Sequence, residues 1–213
     1  WACIRYGVGE TLFRYSDTME IEPWIAKEYE NIDELTWKIT LNDGVVFSNG
    51  RACDGEAVKE SLEALVANNE RAAGDLCIDT IEADGNTVTI KTTEPKPALI
   101  NYLSDPYGCI IDMQAGVSDD GIVIGTGPYV ATELVTDDHV NLVKNENVFN
   151  KLELHEKAKI INEIVTMLRC DITSTADLKL LNGGAKAGSI KMSKSTIGKS
   201  RLILINQSVT GLF

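Results

Sequence analysis

The sequence predicts an α+β fold in which antiparallel strand pairs alternate with inserted helices, and three stretches carry that prediction. "LTWKITL" alternates apolar and polar residues and sets Leu35, Trp37, Ile39 and Leu41 on one face, the period-two pattern of a half-buried strand. "CDGEAVKESLEALVANN" places apolar residues at Ala57, Val58, Leu62, Leu65 and Val66, offsets that fit one face of a helix. "IEADGNTVTIK" puts Asp84-Gly85-Asn86 between two alternating runs. That is a strong hairpin signal, because the turn tolerates positive φ there. Hairpins joined to helices in this mixture make an α+β domain.

The remaining elements follow in order. "LFRYSDTMEIEPWIAKEYE" reads as short extended pieces around a polar turn, with Pro23 setting an entry. After the strand that ends at Leu41 come turns at Asn42-Asp43-Gly44 and Ser48-Asn49-Gly50, separated by a short apolar piece. Asp54 is a credible N-cap for the helix that follows, which ends at Asn68-Asn69, since an N-cap carboxylate accepts an otherwise unpaired amide of the first turn. "PALINYLSD" is a short helix with Pro97 near its first turn, "GCIID" a short buried strand, and "GPYVATELVTDDHVNLVKNEN" a second hairpin tipped by Thr136-Asp137-Asp138. "EKAKIINEIVTML" fits both periods in part, and "TADLKLL" is a short helix ending at Asn182-Gly183-Gly184. "AKAGSIKMSKSTIGKS" is a loop or weak strand and "RLILINQ" an apolar strand. Trp24 and Trp37 are expected to pack the core.

The chain has 213 residues and a net charge of −12, so its field repels a phosphate backbone and argues against nucleic acid as a partner. No run of eighteen apolar residues occurs. The five cysteines, Cys3, Cys53, Cys77, Cys109 and Cys170, contain no C-x-x-C pair. Cys109 and Cys170 sit in apolar contexts and are expected to be buried thiols that act as small hydrophobes.

Motifs for chemistry are sparse. His139 and His155 have neither H-x-x-x-H nor H-E-x-x-H spacing, so helical zinc ligation has no support, and both are expected to be solvated. No G-x-S-x-G elbow is present. "GVGETL" lacks the third glycine of a phosphate loop, and in "GIVIGTGPY" Pro128 removes an amide donor. The pairs in "SDDG" and "TDDH" stand in turn contexts that favour Asp for backbone bonding. No catalytic residue, metal ligand or cofactor is assigned from these residues.

Several stretches, in order, resemble one family, the extracellular solute-binding proteins (family 5) of bacterial peptide and nickel ABC importers. "GETLFRYSDTMEIEPWIAKEYE" looks like the family's opening, Y-E-x-L-x-R-Y followed by I-x-P-x-L-A-x-S-W. "LTWKITLNDGVVFSNG" is similar to its T-x-x-F-x-L-R-x-G-V-x-F-x-D/N-G signature, and "DGEAVKESLEAL" to the helix after it. "ALINYLSDPYGCIID" resembles a later segment, and "GTGPYVATEL" with "VNLVKNENVF" looks like the G-T-G-P-Y run and its sequel. Val148-Phe149 stands where the family usually has Tyr-Trp. The likeness is collinear from about Gly9 to Phe149 and thins beyond, where "CDITSTADLKLLNGG" and "SRLILINQ" are similar to a helix and a strand.

The resemblance implies a periplasmic-binding-protein-like (class C) lobe, a mixed sheet with β-hairpins and flanking helices. Residues 1–40 and 126–213 would form the main part of lobe one, and residues 41–125 an inserted subdomain. An initial strand and the second lobe would lie outside the chain, as a piece of a longer protein. It implies a non-catalytic substrate-binding component of an ABC importer that captures oligopeptides or a nickel chelate outside the cell, with permease subunits as partners. The location is extracytoplasmic, with membrane attachment through a lipid anchor outside the chain. In the nickel branch a stretch after the first helix supplies an Arg and a Trp. Here Arg71 matches the Arg, Gly74 stands at the Trp, and "LSDPYG" lacks the Arg of a later segment. The expected ligand-binding residues are Arg5, Tyr6, Arg71, Asp105 and Tyr107. The alternatives are an extracellular hydrolase using His139 or His155, and a sensing or interaction module of the same fold.

Overall fold

In the computed structural model the described residues are 7–105, 107–135, 139–149, 189–194 and 201–204. The chain separates into two compact units. One holds Gly9–Gly116 with Ile124–Thr126; the other holds Gly7 and Val8, Val117–Val123 and the stretch from Gly127 onward. Residue 40, expected to precede an inserted subdomain, lies inside a strand that is hydrogen-bonded on both sides.

The first unit is built on a four-stranded sheet of order β4-β5-β7-β6, with β4 at Ala26–Asn31, β5 at Thr36–Leu41, β6 at Ile78–Asp84 and β7 at Thr87–Thr92. All of its pairings are antiparallel. Trp37, Ile39 and Leu41 are buried as the alternation requires, whereas Leu35 falls before the strand and is 38% exposed. The β6–β7 hairpin turns through Gly85, whose φ of +56° is the left-handed conformation the Asp-Gly step anticipates. Two small pairs complete the strands: β1 (Glu10–Thr11) with β8 (Cys109–Ile110), and β2 (Phe13–Tyr15) with β3 (Ile21–Pro23). In β8 Ile110 takes the buried side, which leaves Cys109 half-buried rather than enclosed. Cys170 lies outside the described residues.

Helix α1 (Gly55–Asn68) buries Ala57, Val58 and Leu62, and Asp54 caps it by accepting the Ala57 N–H at 3.0 Å. Its start presses on the β6–β7 turn: the Gly55 N–H donates to the Gly85 carbonyl at 2.9 Å, and a Cβ at residue 55 would stand 2.7 Å from that oxygen. The Asn68-Asn69 pair ends α1, but Asn69 also caps a second helix, α2 (Glu70–Leu76), through the Ala72 N–H. The short helix α3 (Leu99–Tyr102) follows the loop after β7 and buries Leu99 and Ile100. The core joins Leu12, Phe13, Ile25, Trp37, Ile39, Phe47, Leu62, Leu76, Ile90 and Ile110, with Trp24 packed on its margin.

The second unit contains an antiparallel sheet of order β12-β11-β10-β9, made of β9 (Tyr129–Val135), β10 (His139–Lys144), β11 (Ser189–Lys194) and β12 (Arg201–Leu204). "SIKMSK" is therefore a strand, and "RLIL" pairs with it. The expected β9–β10 hairpin forms, while its tip at 136–138 lies outside the described residues. So do the expected helix 175–181 and the ambiguous stretch 156–168. A short helix, α4 (Glu146–Phe149), follows β10. Before β9, a Cβ at Gly127 would lie 2.3 Å from the Gly7 carbonyl oxygen, so two backbones meet there at a distance that excludes a side chain.

Candidate functional site

Arg71 lies in α2, one turn before Asp75, and the spacing of four brings their side chains to one face of the helix. The Arg71 guanidinium is 86% exposed and its Nε stands 3.5 Å from Asp75 Oδ2. Tyr107, in the loop after α3, sends its hydroxyl to the same oxygen, donating at 2.7 Å. The Tyr107 ring is buried and lies beside Tyr102, with centroids 6.2 Å apart. Donation to Asp75 raises the Tyr107 pKa above the ordinary phenol value, and burial adds to the shift. Asp105, two residues before Tyr107, is exposed. Two of the expected ligand residues, Arg71 and Tyr107, are thus joined through Asp75. Asp105 is near them in sequence without a described bond to either. Arg5 and Tyr6 lie outside the described residues.

Asp75 was missed by sequence reasoning. Its signal was the Arg71-to-Asp75 spacing, which becomes legible only once 70–76 is recognised as a helix. Gly74, next to Asp75 in the chain, is exposed, and a Cβ built there meets no atom within 4 Å.

A second polar cluster ties α1 to the segment after β8. Asp112, 1% exposed, takes the Arg51 guanidinium on one oxygen and the Asn49 amide on the other, the latter at 2.7 Å. Arg51 also binds Glu60 of α1 at 2.7 Å, and Gln114 donates to Glu60 at 3.0 Å. Burial alone would raise the Asp112 carboxyl, but Asn49, Arg51 and the Ala115 amide hold it below its ordinary value. Every member has a partner, so the cluster braces the turn at residues 48–51.

Glu10 of β1 is the third notable group. Its carboxylate accepts the Thr126 hydroxyl at 2.9 Å. Burial pushes its pKa up to about 7, against weaker lowering by Thr126, Trp24 and Arg14. Trp24 is not wholly interior: the Arg14 guanidinium stacks on its ring at 3.8 Å and binds Glu22 at 3.1 Å. His139, expected to be solvated, keeps only 15% side-chain exposure and faces Glu133 at 3.2 Å across β9 and β10. His155 lies outside the described residues. Burial raises the Cys53 thiol to about 12, which keeps it protonated and unreactive.

Comparison with known proteins places these features in context. A family model described as "Bacterial extracellular solute-binding proteins, family 5 Middle" matches residues 20–191. The nickel-binding protein NikA of Staphylococcus aureus is 34% identical over 126 residues, covering 59% of this chain and 26% of that protein. The glutathione-binding protein GsiB of Salmonella paratyphi A is 33% identical over 142 residues, covering 62% of this chain and 27% of that protein. The crystal structure of S. aureus NikA in complex with Ni(L-His)2 superposes with a TM-score of 0.66 at 31% identity, covering 70% of this chain and 32% of the other. The chain therefore spans about a quarter to a third of the length of the relatives it matches.

Proposed function

We propose a function from one premise: this chain belongs to the bacterial extracellular solute-binding proteins, family 5. Members of this family are extracytoplasmic substrate-binding proteins of ABC transporters and carry out no catalysis on what they bind. On that basis the chain is part of the component that captures oligopeptides or a nickel chelate outside the cell and hands them to permease subunits. The observation that carries the reading is the family match over residues 20–191, which includes Arg71, Asp105 and Tyr107.

In this reading a second lobe, outside the chain, completes the cleft, and the lobes close on the ligand by hinge motion. Arg5, Tyr6, Arg71, Asp105 and Tyr107 face that cleft, and a lipid anchor outside the chain holds the protein at the membrane. Arg71 supports it chemically, because an exposed guanidinium on a short helix is an available fork for a carboxylate. Tyr107 supports it too, since a buried ring with a tethered hydroxyl holds its neighbour Asp75 in a fixed place.

The test is thermal unfolding of the protein as its gene encodes it, with di- to pentapeptides and with the nickel–histidine complex. At a ligand concentration a hundred times Kd, binding to the folded state adds about 2.7 kcal/mol, so one of these ligands raises the melting temperature by several degrees. No rise with any of them overturns the reading.

A further inference from the structure

Glu10 has no part in the binding reading, yet it ties together two stretches of the first unit that lie far apart in the chain. We propose that Glu10 is a proton-operated latch: its neutral carboxyl keeps residues 124–126 docked on the first unit, and its ionisation releases them. The inference goes beyond the transport reading and does not rest on it.

Residues 124–126 belong to the first unit, while the chain on either side of them, Val117–Val123 and the stretch from Gly127, belongs to the second. So short a segment has few attachments. The Asp112 N–H donates to the Ile124 carbonyl at 2.9 Å, and the Ser48 N–H to the Gly125 carbonyl at 2.9 Å. Gly125 also forms an isolated antiparallel bridge with Ile111. Thr126 is 2% exposed and donates its hydroxyl to the Glu10 carboxyl at 2.9 Å. The hold on Thr126 therefore runs through a group that can change its charge.

The surroundings suit a neutral acid better than an ion. Burial is the largest influence on the carboxyl and outweighs donation from Thr126 and Trp24 and attraction from Arg14. Arg14 is committed elsewhere: its Nε binds Glu22 at 3.1 Å, and its guanidinium lies over the Trp24 ring at 3.8 Å. From the turn before α1, Glu10 is faced by the Cys53 thiol. Burial first, and then the charges of Asp54 and Glu10, keep that thiol protonated, so it brings no positive charge. An ionised Glu10 needs water, and lifting Thr126 away opens one side of the carboxyl to it. With a folded pKa of about 7 against an ordinary 4.5, the docked state is fully favoured in acid and loses that advantage as pH rises through about 7. Family members are extracytoplasmic, so the surroundings of the cell set the latch.

The experiment is residue-resolved amide hydrogen exchange on the protein as its gene encodes it, at pH 5 and pH 8, with rates corrected for the intrinsic effect of pH. The reporters are the Ser48 and Asp112 amides, which donate to the segment, and the strand amides of β5 and β7 serve as reference. In the wild type, protection of Ser48 and Asp112 falls about tenfold or more from pH 5 to pH 8, and at pH 8 it lies below that of the reference strands. Glu10→Gln, which stays neutral and keeps an acceptor for Thr126, removes the pH response. Thr126→Val, similar in shape and without the donor, lowers protection of the two reporters already at pH 5. The latch is overturned if the wild type shows no pH response, if Glu10→Gln keeps it, or if Thr126→Val changes nothing at pH 5. Reporters protected equally with β5 and β7 at both pH values also overturn it, because exchange then follows global unfolding. No ligand enters the measurement, so each of these failures leaves the transport reading untouched.

Discussion

Met19 shows most plainly what one residue's conformation costs. It is 73% exposed in the β2–β3 turn with a φ of 64°, a left-handed position that disfavours any residue with a Cβ by roughly 1–2 kcal/mol. Met19→Gly removes that strain and loses part of the gain to greater freedom of the unfolded chain. The net expectation is a stabilisation of about 0.5 kcal/mol, read as a higher urea midpoint at constant slope; a lower midpoint contradicts it. Asp112 works in the opposite direction. At 1% exposure it depends on Arg51 for charge balance, and Arg51→Met leaves a buried carboxylate with only amide donors. The cost should be roughly 3 kcal/mol, and Asp112→Asn made in the same chain should recover part of it. Additive losses in the double variant contradict the pairing.

Glu10 extends the residue scale to pH. Burial raises its folded pKa from 4.5 to about 7, so the folded state holds the proton more tightly than the unfolded chain does. The stability this contributes is fully present below about pH 4.5 and is lost as pH rises through about 7. The loss is at most about 3 kcal/mol for a shift of this size. Glu10→Gln keeps an acceptor for Thr126 and abolishes the titration, so the variant's urea midpoint should change less than the wild type's between pH 5 and pH 8. Parallel profiles for the two proteins contradict this origin.

At the scale of elements, the contact between α1 and the β6–β7 turn makes the sharpest prediction. A methyl at residue 55 meets backbone oxygens at 2.7 and 3.0 Å, and backbone cannot move aside as a side chain can. Gly55→Ala should cost about 1–3 kcal/mol, whereas Gly74→Ala on open α2 should be neutral or stabilising because alanine favours helix. Equal effects at the two positions contradict the packing described. The same elements show what local pattern can reveal. β5, α1 and the hairpin through Gly85 were legible because periodicity, an N-cap and a turn glycine each act within a few residues. Helix α2 was not, because Asn69 ends one helix and caps the next, and an Asn-Asn pair reads only as a stop. Missing α2 hid Asp75, and with it the partner that joins Arg71 to Tyr107. The Arg51–Asp112 brace was illegible for another reason: its members lie 61 residues apart, and no local rule pairs them.

At the scale of the whole molecule, the family was legible through order and not through any single motif. A binding cleft needs no reactive group, and the polar contacts that hold a ligand leave little trace in spacing. What identified the chain was a collinear series of turns and strands, matched by the family over residues 20–191. His139, expected to be solvated, keeps 15% side-chain exposure with Glu133 at 3.2 Å, and it is paired on both sides, with Val135 of β9 and Ser193 of β11, pairings no local rule shows. The protein, as proposed, holds a small ligand and leaves it chemically unchanged. The direct measurement is calorimetric titration of the encoded protein with the peptide and nickel–histidine panel, followed by mass spectrometry of the released ligand. Saturable binding near one ligand per protein, with the ligand recovered intact, is the predicted result. Absence of binding across the panel, or recovery of a cleaved or altered ligand, would contradict it.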